Sequence, residues 1–187
     1  MAGWLSHSGI QRAARVLRAG GVVAYPTEAV WGLGADPANA GAIDRLLSLK
    51  HRQRSKGLIL IAADVEQVSP WLERLTPSER ATLLDTWPGP NTWLVPNHGL
   101  ASPWVTGDHQ SVALRVTAHP VAAALCRAFG GPLISTSANP QGRPAARTAL
   151  QVRRYFGAAL DDIAPGRTGQ RRQPSQIRDL ATGHTLR

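Results

Sequence analysis

Leu58-Ile59-Leu60-Ile61 is apolar on both faces that a strand presents, and such a run reads as a central strand covered on each side. The chain therefore needs helical layers packed on a sheet, and its other segments supply them. Ile10, Ala13, Ala14 and Leu17 recur at helical spacing across residues 8–19, with Gly20-Gly21 as the stop. Ala42, Ile43, Leu46, Leu47 and Leu49 predict a second helix over residues 39–49. Thr76-Pro77-Ser78-Glu79 is a capping box with proline at the first helical position, so a helix starts there. His119-Pro120 opens a further helix that runs to Phe129 and stops at Gly130-Gly131, and one more is expected near residues 148–156. Between them lie predicted strands at Val22–Tyr25, Thr92–Val95, Ser111–Val116, Leu133-Ile134 and Gln176–Leu180, with a forced turn at Trp87-Pro88-Gly89-Pro90. Alternating strands and helices argue for an α/β fold.

Composition narrows the class. The 187 residues suit one domain spanning 1–187, and 43% hydrophobic content excludes a disordered chain. The only linker-like piece, Gly166–Pro174, reads as a mobile loop within that domain. No apolar run is long enough to span a bilayer and no secretory leader is visible, so a soluble cytoplasmic protein is expected. The single Cys126 sits among apolar neighbours and reads as a buried thiol rather than a nucleophile. The six histidines (7, 51, 98, 109, 119 and 184) lack zinc-ligand spacing, no Gly-x-Ser-x-Gly elbow is present, and neither Glu28 nor Asp36 has an obvious carboxylate partner. His119 reads as a helix cap rather than a base.

The formal net charge of +9 favours polyanions. Of 21 basic residues only two are lysines, Lys50 and Lys56, and both fall in Lys50-His51-Arg52-Gln53-Arg54-Ser55-Lys56. In a chain so biased toward arginine, a compact ammonium points to phosphate handling, and Lys50, Arg52 and Arg54 together can neutralise a triphosphate. Two other polar loops follow apolar strands. Pro26–Gly34 offers the Thr27 hydroxyl and backbone N–H groups near Gly32 and Gly34, or is a strand-to-helix turn whose glycines permit positive φ. Ser135–Pro144 sets Ser135, Ser137 and Asn139 at alternate positions, a polar comb suited to phosphate oxygens, although the same residues are usual in a capped turn.

Taken in order along the chain, these segments resemble the YrdC/TsaC family of threonylcarbamoyl-AMP synthases. The matching pieces are Gly20–Glu28 with Trp31–Gly34, Leu49–Arg52 with Lys56–Ile61, Trp87–Pro90 with Thr92, Val112–Arg115 with His119-Pro120, Ser135–Asn139 with Gly142–Pro144, and Pro174–Asp179. They cover nearly the whole chain and correspond to the short, single-domain form. The resemblance implies a twisted, mixed α/β sheet with flanking helices around a positively charged concave cavity. It implies a nucleotidyltransferase that joins L-threonine, bicarbonate and ATP into L-threonylcarbamoyladenylate with release of pyrophosphate, using Mg²⁺ bound mainly through the ATP phosphates and no metal site of its own. That product feeds N6-threonylcarbamoyl modification of the tRNA adenosine beside the anticodon, completed by a separate transferase complex.

The family signature falls on Lys50, Arg52, Ser137 and Asn139, the implied catalytic and ATP-binding set. Thr27, Ser135 and Arg115 are implied at the threonine, Arg115 pairing its carboxylate, and Ser111, Thr92, Arg143 and Ser175 around the nucleotide and cavity wall. Gln53 stands where many relatives have proline, and Ala29 where threonine is frequent. The competing expectation is a non-catalytic module that grips structured RNA by charge, including Arg153-Arg154 and Arg171-Arg172, with tRNA contact possible in either case. Only two Phe and two Tyr are present, and the six tryptophans are scattered rather than paired on one strand, so such a module would lack the usual stacking platform.

Overall fold

A computed structural model describes residues 2–171 and 173–186; Arg172, half of the Arg171-Arg172 pair, lies outside the described residues. In chain order the elements are α1 (Ala2–Leu5), α2 (Ser8–Arg18), β1 (Val23–Pro26), β2 (Trp31–Gly34), α3 (Ala40–Lys50), β3 (Ile59–Ala62), α4 (Ser69–Leu72) and α5 (Pro77–Leu84). They continue as β4 (Asn91–Pro96), α6 (Pro103–Thr106), β5 (Ser111–Val116), α7 (Pro120–Phe129), β6 (Leu133–Ser137), α8 (Ala149–Phe156), β7 (Asp162–Ile163) and β8 (Gln176–Asp179). The strands form one mixed sheet in the order β7-β1-β2-β6-β3-β5-β4-β8. The apolar run at residues 58–61 does become a central strand: β3 lies between β5, parallel to it, and β6, antiparallel.

Strand alternation sorts side chains onto two faces, and register tells which ones share a face. Ala24, Leu33, Leu60, Val112, Leu114, Ile134 and Trp93 belong to one cluster with Ile43, Leu46 and Leu47 of α3, Leu83 of α5 and Val152 of α8. The opposite face carries Val23, Tyr25, Ile61 and Leu133, packed against Ile10, Ala13, Ala14 and Leu17 of α2 and against α7. Fully burying one such aliphatic side chain contributes about 1.5–3 kcal/mol, which makes this apolar patch the anchor of the second layer. Helix starts follow the sequence signals. Thr76 and Thr148 both close reciprocal capping boxes, with Glu79 and Gln151. No helix among the described residues is long and apolar enough to cross a membrane.

Residues 26–34 differ from expectation. They form a hairpin rather than a strand-to-helix turn, because β2 pairs antiparallel with β1 on one side and with β6 on the other. Neither Gly32 nor Gly34 has positive φ. Gly34 is instead a close-approach position: a Cβ there would sit 2.8 Å from Cε1 of Tyr25 and 3.2 Å from the Ile134 carbonyl oxygen. Strand β6 also runs on through Ser137, so Ser135-Thr136-Ser137 is strand, not loop. Cys126 is fully buried, its thiol donates to the Ile61 carbonyl at 3.4 Å, and burial pushes it up to about 12, as befits an inert core thiol.

Candidate active site

The second face is not apolar throughout. Ile59 pairs with Ala113 and Ser135 in register, and Gly32 with Ser137, so these residues continue the Tyr25–Ile61–Leu133 face beyond the reach of α2 and α7. Ser111, Ala113 and Arg115 follow at every second position of β5. Small and polar side chains here leave a cavity of about 380 Å³, in the range of small-molecule sites. Its wall includes Thr27, Glu28, Arg52, Lys56, Ser111, Ala113, Arg115, Ser135, Ser137, Asn139 and Ser175.

The cations are set by backbone geometry. His51 takes the left-handed conformation that ends α3, and the chain then makes a short 3-10 turn, Arg54–Lys56. Gly57 follows at φ +60, where a Cβ would meet the Thr106 carbonyl oxygen at 2.7 Å, so only glycine lets this loop lie against α6. The loop is stitched there by Leu58 N–H to the Val105 carbonyl at 2.8 Å. Arg52 donates to the Gly57 carbonyl at 3.0 Å, which holds its guanidinium at the cavity edge. Arg54, expected beside it, lies over the Trp104 ring at 3.5 Å and is not on the cavity wall. Lys56 is on that wall, although the family signature does not reach it.

Lys50 is placed differently from the other signature residues. It is 5% exposed and absent from the cavity lining; its ammonium donates to the Ser137 carbonyl at 2.5 Å, the Asn139 carbonyl at 2.8 Å and Asn139 Oδ1 at 3.5 Å. Burial, and then the charge of Arg52, push that ammonium down to about 8. Ser137 and Asn139 do reach the cavity, where the Ser137 hydroxyl donates to Asn139 Oδ1 at 2.6 Å. Asn139 Nδ2 donates to the Arg143 carbonyl at 2.7 Å; the Arg143 side chain is exposed and outside the cavity lining. Thr92 is fully buried and donates to Ser175 Oγ at 3.1 Å, so it supports the wall from behind.

At the threonine end of the expectation, Thr27 donates to the Val30 carbonyl at 2.7 Å within the β1–β2 turn, and Ser135, nearly buried, lines the same cavity. Arg115 already has a partner in Glu28, a residue that the sequence reading left without a place in the site. The Glu28 carboxylate pairs with Arg115 and accepts from Thr117 Oγ1 at 2.9 Å and from the Ala118 N–H at 3.0 Å. Burial alone would raise this carboxyl, yet Arg115 and those hydrogen bonds hold it below the usual carboxylate range. Glu28 was missed because its partners lie 87–90 residues away, and no spacing rule links them. His119 occupies the N-cap position of α7, but its side chain makes no cap bond; Nε2 lies 3.1 Å from the Arg167 carbonyl. The segment that follows crosses the hairpin turn through Gly169 N–H to the Thr27 carbonyl at 3.0 Å and Arg171 N–H to the Glu28 carbonyl at 3.1 Å. It then brings Gln173, Pro174 and Ser175 to the cavity rim.

The Sua5/YciO/YrdC family model, described as "Telomere recombination", matches residues 15–187. The chain belongs to this family. A threonylcarbamoyl-AMP synthase of Cellvibrio japonicus is 56% identical over 187 residues, all of this chain and 99% of that protein. One of Pseudomonas aeruginosa is 59% identical over 177 residues, 95% of each. Among solved structures, Sua5 of P. abyssi complexed with L-threonine superposes with a TM-score of 0.87 at 30% identity over 94% of this chain. This chain spans about half of that longer protein, 52% of its length. YciO of E. coli, at 23% identity and TM-score 0.83, shares the Sua5/YciO/YrdC fold.

Proposed function

We propose that the chain is a threonylcarbamoyl-AMP synthase of the nucleotidyltransferase class, condensing L-threonine, bicarbonate and ATP into L-threonylcarbamoyladenylate and pyrophosphate. The observation that carries this reading is the full-length 56% identity to a protein of that name, joined to a cavity where the signature residues Arg52, Ser137 and Asn139 meet Thr27, Ser135 and Arg115. In the reaction the threonine amine and bicarbonate join with loss of water, a C–N bond forming as a C–O bond breaks. The carbamate oxygen of the resulting N-carboxythreonine attacks the α-phosphorus, one P–O bond forms, and the bond to the β-phosphate oxygen breaks as pyrophosphate leaves. Such a transfer is governed by positioning and charge neutralisation. Arg52 and Lys56 supply positive charge from one wall. Arg115, fixed by Glu28 and by its Nε–H bond to the Gly89 carbonyl at 3.2 Å, would meet a carboxylate with its remaining N–H groups. Thr27 and Ser135 lie where they can orient the amino acid, and Ser111 and Ser175 line the same space for the nucleotide.

Mg²⁺ would arrive on the triphosphate and spread the developing charge. Among the described residues no three His, Cys, Asp or Glu converge on a metal position, and Asn139 Oδ1 already accepts from Lys50 and from the Ser137 hydroxyl, so the ion would keep phosphate and water oxygens as its ligands. We further propose that the product supplies tRNA N6-threonylcarbamoyladenosine formation in the cytoplasm through a separate transferase complex, and that residues 1–187 act as one domain. An RNA-binding module without chemistry has no use for the Glu28-buttressed Arg115 inside a small-molecule cavity. The test is pyrophosphate release from ATP with Mg²⁺, with and without L-threonine and bicarbonate and with L-serine as control. Release that depends on both threonine and bicarbonate is expected; release indifferent to threonine would remove the synthase reading.

A further inference from the structure

We infer that Lys50 is a positioning residue, acting on the reaction through the Ser137–Asn139 segment rather than as a ligand of the triphosphate. The inference rests on the synthase reading above. An ammonium has three N–H donors and no acceptor. Three oxygens of this segment surround Nζ: the Ser137 carbonyl at 2.5 Å, the Asn139 carbonyl at 2.8 Å and Asn139 Oδ1 at 3.5 Å. The main chain of Lys50 grips the same loop, its carbonyl accepting from the Gln141 N–H at 3.0 Å. The side chain is nearly buried, and the cations on the cavity wall are Arg52, Lys56 and Arg115. To meet a phosphate, Lys50 would have to release two main-chain carbonyls that it now serves.

The brace decides which way Asn139 faces. With Oδ1 toward the ammonium, the amide oxygen also accepts the Ser137 hydroxyl at 2.6 Å, while Nδ2 donates to the Pro140 and Arg143 carbonyls at 3.2 and 2.7 Å. A flipped amide would set its NH₂ against the positive charge and strip the Ser137 hydroxyl of its acceptor. The contact also explains why a chain with 19 arginines among its 21 basic residues keeps lysine here. Three converging oxygens suit a compact ammonium, and a planar guanidinium fork cannot serve all three.

The experiment uses the full-length chain labelled with ¹³C at lysine Cε, which gives two signals because only Lys50 and Lys56 are present. Lys56 lies on the cavity wall and reports nucleotide entry. The Lys50 titration midpoint, expected at about 8, should rise by well under one unit when Mg-ATP saturates the protein, since the nucleotide only offsets the Arg52 charge that helps to lower it. A phosphate docked on Nζ would raise it by about one unit or more. Kinetics give the second arm. Lys50→Met is expected to lower kcat about a hundredfold through misplacement of the loop, with the ATP dissociation constant changed less than about threefold. Lys50→Arg, which keeps the charge but not the three converging donors, should be no better than Lys50→Met. Recovery of activity in Lys50→Arg, or a Lys50 midpoint raised by about one unit or more, would overturn the inference; if Lys50→Met does not fold, the labelled chain decides alone. Threonine-dependent pyrophosphate release by the unaltered chain is measured alongside. Its absence removes the synthase reading, whereas its presence with a Lys50 midpoint raised that far removes only the brace.

Discussion

One face of the sheet holds two unlike surfaces side by side. Val23, Tyr25, Ile61 and Leu133 are large and fully buried under α2 and α7, while Ser111, Ala113, Ser135 and Ser137, on the same face of neighbouring strand positions, are small or polar and border the cavity. On β6 the change occurs within five residues, from Leu133 to Ser137. A sheet can be stable and still leave part of a face open, provided the open part carries little apolar area and the covered part carries much. The covered end fixes the strands, and the open end keeps a rigid wall for the cavity.

Substitutions at the two ends should therefore separate activity from stability. The largest effect is expected for Arg52→Ala, which removes a wall cation: a loss of about 10²–10³ in synthase turnover, about 3–4 kcal/mol of transition-state stabilisation, with thermal unfolding nearly unchanged. A steady-state pyrophosphate assay and a melting curve on the same sample check both halves. Leu133→Ala, at the covered end, should do the reverse, costing about 2–5 kcal/mol in urea unfolding while the remaining folded protein keeps its ATP affinity. If Leu133→Ala weakened ATP binding as strongly as Arg52→Ala, the division of this face would be mistaken.

Glu28→Gln sits between the two classes. It leaves the largely buried Arg115 without its counter-charge, at an expected cost of about 2 kcal/mol, and should raise KM for threonine more than KM for ATP. The sign with pH is fixed by the lowered carboxyl. Its contribution to stability is complete above the unfolded value of about 4.3 and fades as pH falls through the lower folded value, so the Gln variant should flatten that acid limb in pH-dependent unfolding. The smallest effect is expected from Ala113→Val, which fills part of the cavity floor. Binding of ATP or threonine should weaken about tenfold, read by calorimetry, with stability changed by less than about 1 kcal/mol.

Most helices and the central strand were legible because each depends on neighbours in sequence: the 3.6-residue spacing of Ile10, Ala13, Ala14 and Leu17, the capping box at Thr76, the apolar run around Leu60. Strand β2 was not, since Trp31-Gly32-Leu33-Gly34 has glycines where a strand would normally carry side chains. Those positions are empty because the Tyr25 ring approaches across the hairpin, which only the folded chain reveals. The site divides in the same way. Arg52, Ser137 and Asn139 could be found as a family pattern, and the alternation of Ser135 and Ser137 was real because β6 extends through both. The roles of Glu28 and Lys50 depend on partners 87–90 residues distant, so spacing could neither supply a partner for the first nor withdraw the second from the cavity wall.

The most direct test of the open end as the site of synthesis is a crystal structure of the full-length protein with L-threonine and a non-hydrolysable ATP analogue. Both ligands are expected over the Ser111–Ala113–Ser135–Ser137 strip, the threonine carboxylate at Arg115 and the phosphates toward Arg52, with Lys50 still bonded to Ser137 and Asn139. Ligands seated anywhere other than this cavity would contradict the account.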